Sequence, residues 1–239
     1  MKSVLITGAN RGIGWEVAKK LSAADCFVYL ACRDGGAGKQ AAETLRKEGR
    51  TNVSHVVLDV TDQQSVERAA QVVADRGAGL DVLINNAGIL GRHPENEPIP
   101  VEEIERVFET NYFGVIRVTR AFLPLLRKST APRIVNVTSE LGSLTLQSDP
   151  EWVYGRFKSE AYPPSKAALN MYTVVLAAEL AGEPFKVNTV SPGYTATAFN
   201  NYRGTKSPSD AADVIIRYAT LGPDGPTGGF FADQGGVPW

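Results

Sequence analysis

The sequence has no long hydrophobic run, no surplus of either charge, and very little cysteine or histidine. No stretch approaches the ~18 apolar residues that a membrane helix needs, so no bilayer span is expected. The N-terminal apolar run Val4-Leu5-Ile6 stops at Thr7-Gly8, too short for a secretory signal, and a cytoplasmic location is expected. Lys plus Arg number 25 against 26 for Asp plus Glu, a formal charge of −1. That balance offers no basic field to a nucleic acid or an anionic membrane. The two cysteines, Cys26 and Cys32, share one apolar segment at a spacing that puts them on one face of a strand but too far apart to bridge, so they read as reduced structural thiols. His55 and His93 stand away from any cysteine or carboxylate at ligand spacing, and no metal site is expected.

What is present is a globular balance: 239 residues, 43% hydrophobic and 21% charged, enough to bury one extended core. Short apolar runs at Val4-Leu5-Ile6, Phe27 to Leu30, Val56-Val57-Leu58, Val82-Leu83-Ile84, Ile134 to Val137 and Val187 to Val190 read as strands. They are almost continuously apolar, the pattern of strands covered on both faces. Amphipathic stretches at 12–23, 36–48, 63–76, 101–128 and 163–181 alternate with them. The expected fold is α/β: a single doubly wound (Rossmann) domain over residues 1–239, with a parallel sheet of about seven strands and helices on both faces. The Gly/Pro-rich tail from Gly222 to Trp239 is expected to hold one last strand at Gly229-Phe230-Phe231.

In such a sheet the ligand lies beyond the carboxyl ends of the strands. The loop after the first strand reads Thr7-Gly8-Ala9-Asn10-Arg11-Gly12-Ile13-Gly14 and runs straight into a helix. Its glycines allow a tight turn and close approach to a pyrophosphate, whose charge a helix N-terminus stabilises. The spacing G-x-x-x-G-x-G differs from the general dinucleotide fingerprint. Arg33 lies about 20 residues beyond Gly14, where a side chain that reads the ribose is expected. An arginine there suits a 2′-phosphate, and Arg11 adds a second cation, so NADPH/NADP+ is favoured over NAD(H). Asp34 competes, because its carboxylate is placed to accept from a ribose hydroxyl instead.

These motifs together resemble the short-chain dehydrogenase/reductase family, in the group with the T-G-x-x-x-G-x-G loop, from Thr7 to about Thr197. The resemblance implies that Gly8, Asn10, Arg11, Gly12, Ile13, Gly14 and Arg33 hold the cofactor. It places Asp59-Val60 beside the adenine. Asn86, Ala87 and Gly88 of the Asn85-Asn86-Ala87-Gly88 segment close the fourth strand against the cofactor. Pro192-Gly193 and Thr197 border the nicotinamide. Asn111, Ser139, Tyr162 and Lys166 match the catalytic tetrad, the last two also touching cofactor. In the family the matching asparagine marks a local helix distortion that holds a water for the lysine's proton relay.

The residue chemistry agrees with that implication. Tyr162 and Lys166 sit one helical turn apart, so both side chains can project to one side. An ammonium there, with an oxidised nicotinamide nearby, should pull the phenol below its ordinary pKa of about 10. Tyr162 can then serve as acid or base while Ser139 holds the substrate oxygen. Pro163 and Pro164 depart from the usual family pattern and are expected to leave Tyr162 at the cap position.

The leading function is therefore an NADPH-dependent reductase of ketones or aldehydes, reversible and taking a small-molecule carbonyl substrate, with a carbonyl-reductase-like tail. A 3-oxoacyl-carrier-protein reductase and a non-catalytic dinucleotide-sensing regulator are the alternatives. Leu141, Trp152, Tyr154, Tyr194 and Phe199 are candidate walls for an apolar or aromatic ketone. The stretch from Glu140 to Ala161 exceeds the ~12–15 residues at which connections usually acquire a function. A partly helical lid is expected from about Pro150 to Lys158, which would favour a monomer slightly over a dimer or tetramer.

Overall fold

The computed structural model describes residues 1–77, 79–92 and 98–239. His93 lies outside the described residues. The chain alternates β1 (Ser3–Thr7), α1 (Gly12–Ala23), β2 (Phe27–Cys32), α2 (Gly35–Lys47), β3 (Val53–Val57), α3 (Gln63–Ala74) and β4 (Val82–Asn85). The second half runs α4 (Val101–Phe108), α5 (Gly114–Leu126), β5 (Arg133–Val137), α6 (Leu144–Ser148), α7 (Tyr162–Glu179), β6 (Lys186–Val190), α8 (Pro208–Ala219), β7 (Phe230–Ala232) and β8 (Gly235–Gly236). The strands form one 8-stranded sheet in the order β3-β2-β1-β4-β5-β6-β7-β8. All pairs are parallel except β7 with β8.

The continuous apolar strands are explained by two cores. Val4, Ile6, Val28, Leu30 and Ile84 point to one face, against α1, α2 and α8. Leu5, Tyr29, Leu83, Ile134 and Val187 point to the other, against α3, α5 and α7. Successive strand residues face opposite ways, so both sets must be apolar when both faces are covered. The chain order reverses between β1 and β4, which opens a crevice at their carboxyl ends.

Several expectations are corrected. β3 begins at Val53, because Ser54 and His55 join the ladder opposite Tyr29 and Leu30 despite their polarity. The expected helix over 101–128 is two α-helices joined by a π-helical turn, Glu109–Phe113. α8 escaped the sequence reading altogether. Its signals are local: Ser207 accepts from Asp210 N, Pro208 stands in the first turn, and Ala211, Ala212, Val214 and Ile215 form the buried stripe. The sheet also gains β8, a two-residue antiparallel strand too short to leave a hydrophobic pattern. Both cysteines are buried free thiols. Among the described residues, no helix is long and apolar enough to cross a membrane, and no three His, Cys, Asp or Glu side chains gather as a metal site.

Candidate active site

The crevice is a cleft of about 1680 Å³. Its first wall is the loop from Gly8 to Gly14, tied across the switch point to the end of β4. Thr7 Oγ1 accepts from the backbone N–H groups of Asn86 and Ala87, each at 2.9 Å. Asn86 Nδ2 donates back to Thr7 O at 2.8 Å. Thr7 thus joins two motifs that sequence reasoning had treated separately. Gly8 adopts φ +66°, a left-handed conformation that favours glycine. A Cβ on Gly14 would lie 2.5 Å from Asn86 Nδ2 and 2.7 Å from Gly8 O, so only glycine lets these backbones meet. No side chain caps the N-terminus of α1, and no acidic residue occupies its first turn. The open N–H groups and the nearby Arg11 suit a pyrophosphate.

Asn10, Arg11, Gly12 and Ile13 line this wall, with Arg33 at the end of β2 and Asp59 and Val60 after β3. Asp34 does not compete as expected. Its carboxylate accepts from Ala37 N at 3.0 Å as the cap of α2, while Arg33 remains exposed at the cleft.

The opposite wall is built by β5, β6 and α7. Ser139 caps the short 3-10 turn Glu140–Gly142, accepting from Leu141 N at 3.2 Å, and its side chain shares a hydrogen bond with the Tyr162 phenol. Tyr162 is the first residue of α7 and not its cap, which is Ala161. The prolines do not displace it: Ser165 N donates to Ala161 O at 3.1 Å, and a first-turn proline removes only N–H groups that lack helical partners anyway. Lys166 is buried, its Nζ donating to Val137 O at 2.9 Å and lying 5.7 Å from the centre of the Tyr162 ring. Pro192, Gly193 and Thr197 close this side, and Gly88 lines the cleft from β4.

Asn111 is not part of the cleft wall. It lies in the π-helical turn, fully buried, where Oδ1 accepts from Ile89 N and Nδ2 donates to Ile89 O, both at 2.9 Å. Nδ2 also reaches Ser165 Oγ at 3.1 Å. A Cβ on Gly88 would stand 3.2 Å from Asn111 Oδ1 and 3.6 Å from Lys166 Nζ. Asn111 therefore sits one layer behind Gly88, beside the lysine. The distortion that the family resemblance implied is this π-helical turn, in which an extra residue per turn redirects the side chain.

Burial governs the titration of the pair. It raises the Tyr162 phenol above its usual value, with the Ser139 hydrogen bond acting weakly the other way. It pushes Lys166 down to about 8. In the chain alone desolvation dominates, and the phenol is raised. The lowering is expected only with an oxidised nicotinamide beside the phenol.

Leu141, Trp152, Tyr154, Tyr194 and Phe199 all line the cleft, as expected, joined by Phe157. Tyr154 packs on Trp152 at 5.6 Å and on Tyr194 at 5.9 Å between ring centres. The helix expected between Pro150 and Lys158 is not there. The helix in this stretch is α6, Leu144–Ser148, whereas 150–158 is a set of turns. Ser143 caps α6 through Leu146 N at 3.1 Å, and Pro150 forces Asp149 into an extended conformation that ends it. Lys158 Nζ donates to Gln147 O and Oε1 at 2.8 and 2.7 Å, and Gln147 Nε2 donates to Leu141 O at 3.2 Å. The loop is stapled at its base to the turn that carries Ser139. Sequence reasoning also missed Glu140, half-buried behind Ser139 and pushed upward by burial.

The sheet order and a cleft at its switch point place the protein in the doubly wound, Rossmann class of folds. Residues 2–208 match the family model described as short chain dehydrogenase, so the chain belongs to that family, whose members use a nicotinamide cofactor. It is 38% identical to a short-chain dehydrogenase, anuI, of Penicillium roqueforti, over 92% of this chain and 88% of the relative. It is 32% identical to salutaridine reductase of Papaver bracteatum, covering 97% of this chain and 94% of that one. Among solved structures it resembles an NADPH-bound carbonyl reductase from chicken fatty liver, with a TM-score of 0.87 at 28% identity, over 100% of this chain and 99% of that one.

Proposed function

We propose that this chain is an NADPH-dependent reductase that converts ketones or aldehydes to alcohols, reversibly, with Tyr162 as the proton donor. The observation that carries the reading is the convergence of Ser139, Tyr162 and Lys166 on one wall of a cleft whose other end presents Arg33 and Arg11. The names of two relatives support it, one a salutaridine reductase and one a carbonyl reductase with NADPH bound. When bound, the nicotinamide supplies or accepts the hydride. The chain's own part is to hold the carbonyl oxygen at Ser139 Oγ and to deliver a proton from the Tyr162 hydroxyl. A phenol raised by burial stays protonated through neutral pH, which suits donation. Lys166 stands behind it, and Asn111 holds the Ile89 backbone beside the lysine.

Arg33 is free to meet a 2′-phosphate because Asp34 is occupied as a helix cap. The aromatic lining around Trp152, Tyr154, Tyr194 and Phe199 favours an apolar or aromatic ketone. One domain carries both cofactor and substrate sites in this reading.

The test is Tyr162→Phe. A positioned general acid is worth about 10²- to 10⁴-fold, so carbonyl-dependent NADPH oxidation should fall by that factor while NADPH affinity stays near the parent's. Residual turnover within tenfold of the parent would remove Tyr162 as donor. In the parent, reduction should hold at neutral and mildly acidic pH and decline as pH rises through about 8, where Lys166 gives up its proton. Oxidation of the alcohol should require a higher pH than reduction, because it needs the phenolate first. A kcat/KM profile for reduction that stays flat across that range would take Lys166 out of the proton path.

A further inference from the structure

Three strand ends meet beside the catalytic wall in a charged cluster that the proposed reaction does not use. Glu140 follows β5, Ser191 follows β6, and Asp233 lies in the turn between β7 and β8. Lys206, from the segment between Thr197 and α8, joins them. Its Nζ forms an ion pair with Asp233 and donates to Pro192 O at 3.1 Å. Its backbone is bonded on both sides to the strand-like segment just after Gly193: Lys206 N donates to Tyr194 O at 3.0 Å, and Ala196 N donates to Lys206 O at 2.9 Å. The lysine stem passes so close to the turn that a Cβ on Gly193 would lie 3.6 Å from its Cδ. The side chain is only 19% exposed.

Ser191 completes the knot. Its Oγ accepts from Glu140 N at 3.3 Å and Gly193 N at 3.4 Å, and its side chain bonds the Glu140 carboxyl. Glu140 lies within the electrostatic reach of both Lys206 and Asp233. One ammonium therefore stands among two carboxylates and a backbone carbonyl, and the groups it gathers bracket Pro192 and Gly193. An ammonium so placed compensates two acids that would otherwise repel across the turn, and its hydrogen bond to a carbonyl fixes where that turn sits.

We propose that Lys206 is a positioning residue that holds the Pro192–Gly193 turn, and Tyr194 after it, in register with Ser139, so that the turn can border the nicotinamide half of the cofactor. The inference rests on the proposed cofactor reading. It assigns Lys206 no contact with substrate or reacting atoms, and it predicts an effect confined to one end of the cofactor.

That confinement makes it testable without turnover. Calorimetric titration of the full chain with NADPH is compared with titration by 2′,5′-ADP, which carries the adenosine and phosphate groups but no nicotinamide. Losing a hydrogen bond from a charged group should raise the Kd for NADPH by about 5- to 20-fold in Lys206→Met. The 2′,5′-ADP affinity should stay within about twofold, and Lys206→Arg, which keeps the charge, should restore most of the loss. Asp233→Asn should move NADPH in the same direction by less, and serves if Lys206→Met does not fold. Unchanged NADPH binding overturns the proposal, and so does equal weakening of both ligands, which would mean general damage. If the parent takes NADH instead, the same comparison is made between NADH and ADP. A parent that binds neither NADPH nor NADH removes the cofactor reading itself, an outcome distinct from a parent that binds while its variants fail to discriminate.

Discussion

The two walls of the cleft are built by different means. The wall formed by β1, β2 and β4 is made of backbone: Gly8 and Gly14 bring main chain to main chain, Thr7 and Asn86 lock two loops together, and α1 leaves its N–H groups open. The wall formed by β5, β6 and α7 is made of side chains: the Ser139, Tyr162 and Lys166 set and the Tyr154 and Tyr194 rings, with the Lys206 cluster behind them. A backbone wall tolerates little at its contacts, since one methyl group meets main chain that cannot yield. A side-chain wall can exchange aromatic for aromatic and alter preference without collapse. The fixed partner of the reaction is expected on the first wall and the variable one on the second.

The sharpest test of that division is Arg33→Ala, one of the few places where the first wall acts through a side chain. Loss of a charge-assisted bond of about 1.5–3 kcal/mol predicts a fall of roughly 10- to 150-fold in NADPH affinity, with NADH little changed. An unaltered NADPH to NADH ratio would move the selection to Arg11. Next in size is Gly14→Ala. Its methyl must displace Asn86 Nδ2 or the Gly8 carbonyl, an overpacking that costs about 1–3 kcal/mol. Thermal unfolding should show a lower Tm, and NADPH titration a weaker complex. A variant as stable as the parent would mean that the backbone wall yields more than its contacts suggest.

The smallest effect is expected on the second wall. Tyr154→Ala removes ring contacts with Trp152 and Tyr194, worth about 0.5–1.5 kcal/mol each. The KM for bulky aromatic ketones should rise several-fold relative to small aliphatic ones, with NADPH affinity unmoved. An unchanged ranking across a panel of ketones would place the substrate elsewhere in the cleft.

The same contrast explains what could be read in advance. Gly8 to Gly14 were legible because a backbone site leaves glycines in contiguous sequence, and Arg33 through its offset from them, whereas Asn86 to Gly88 were legible only through the family resemblance. Tyr162 and Lys166 were legible because one helix carries both. The joining of Ser139 to Tyr162 was legible only through family resemblance, since nothing local relates the end of a strand to the start of a helix so far along the chain. The helix expected between Pro150 and Lys158 is displaced for a local reason: Ser143 caps α6 at its start and Pro150 ends it at Ser148. α8 was missed although Ser207 and Pro208 mark its start.

Alternating apolar runs and amphipathic helices determined the doubly wound sheet, because burying both faces demands that pattern and little else satisfies it. The loop after β1 determined a tight glycine turn in front of an uncapped helix N-terminus, since the glycines and the helix behind them are neighbours in the chain. The Asp34 cap spans only three residues and was open to local reading, whereas tertiary structure alone decided that Arg33 lies at the cleft. It decided that Asn111 stands behind Gly88 and not in the cleft wall, that burial raises Tyr162, and that Lys206 and Asp233 meet beside Pro192. Each of these depends on burial or on the meeting of side chains distant in sequence, and a linear pattern carries neither until the sheet has brought the strand ends together.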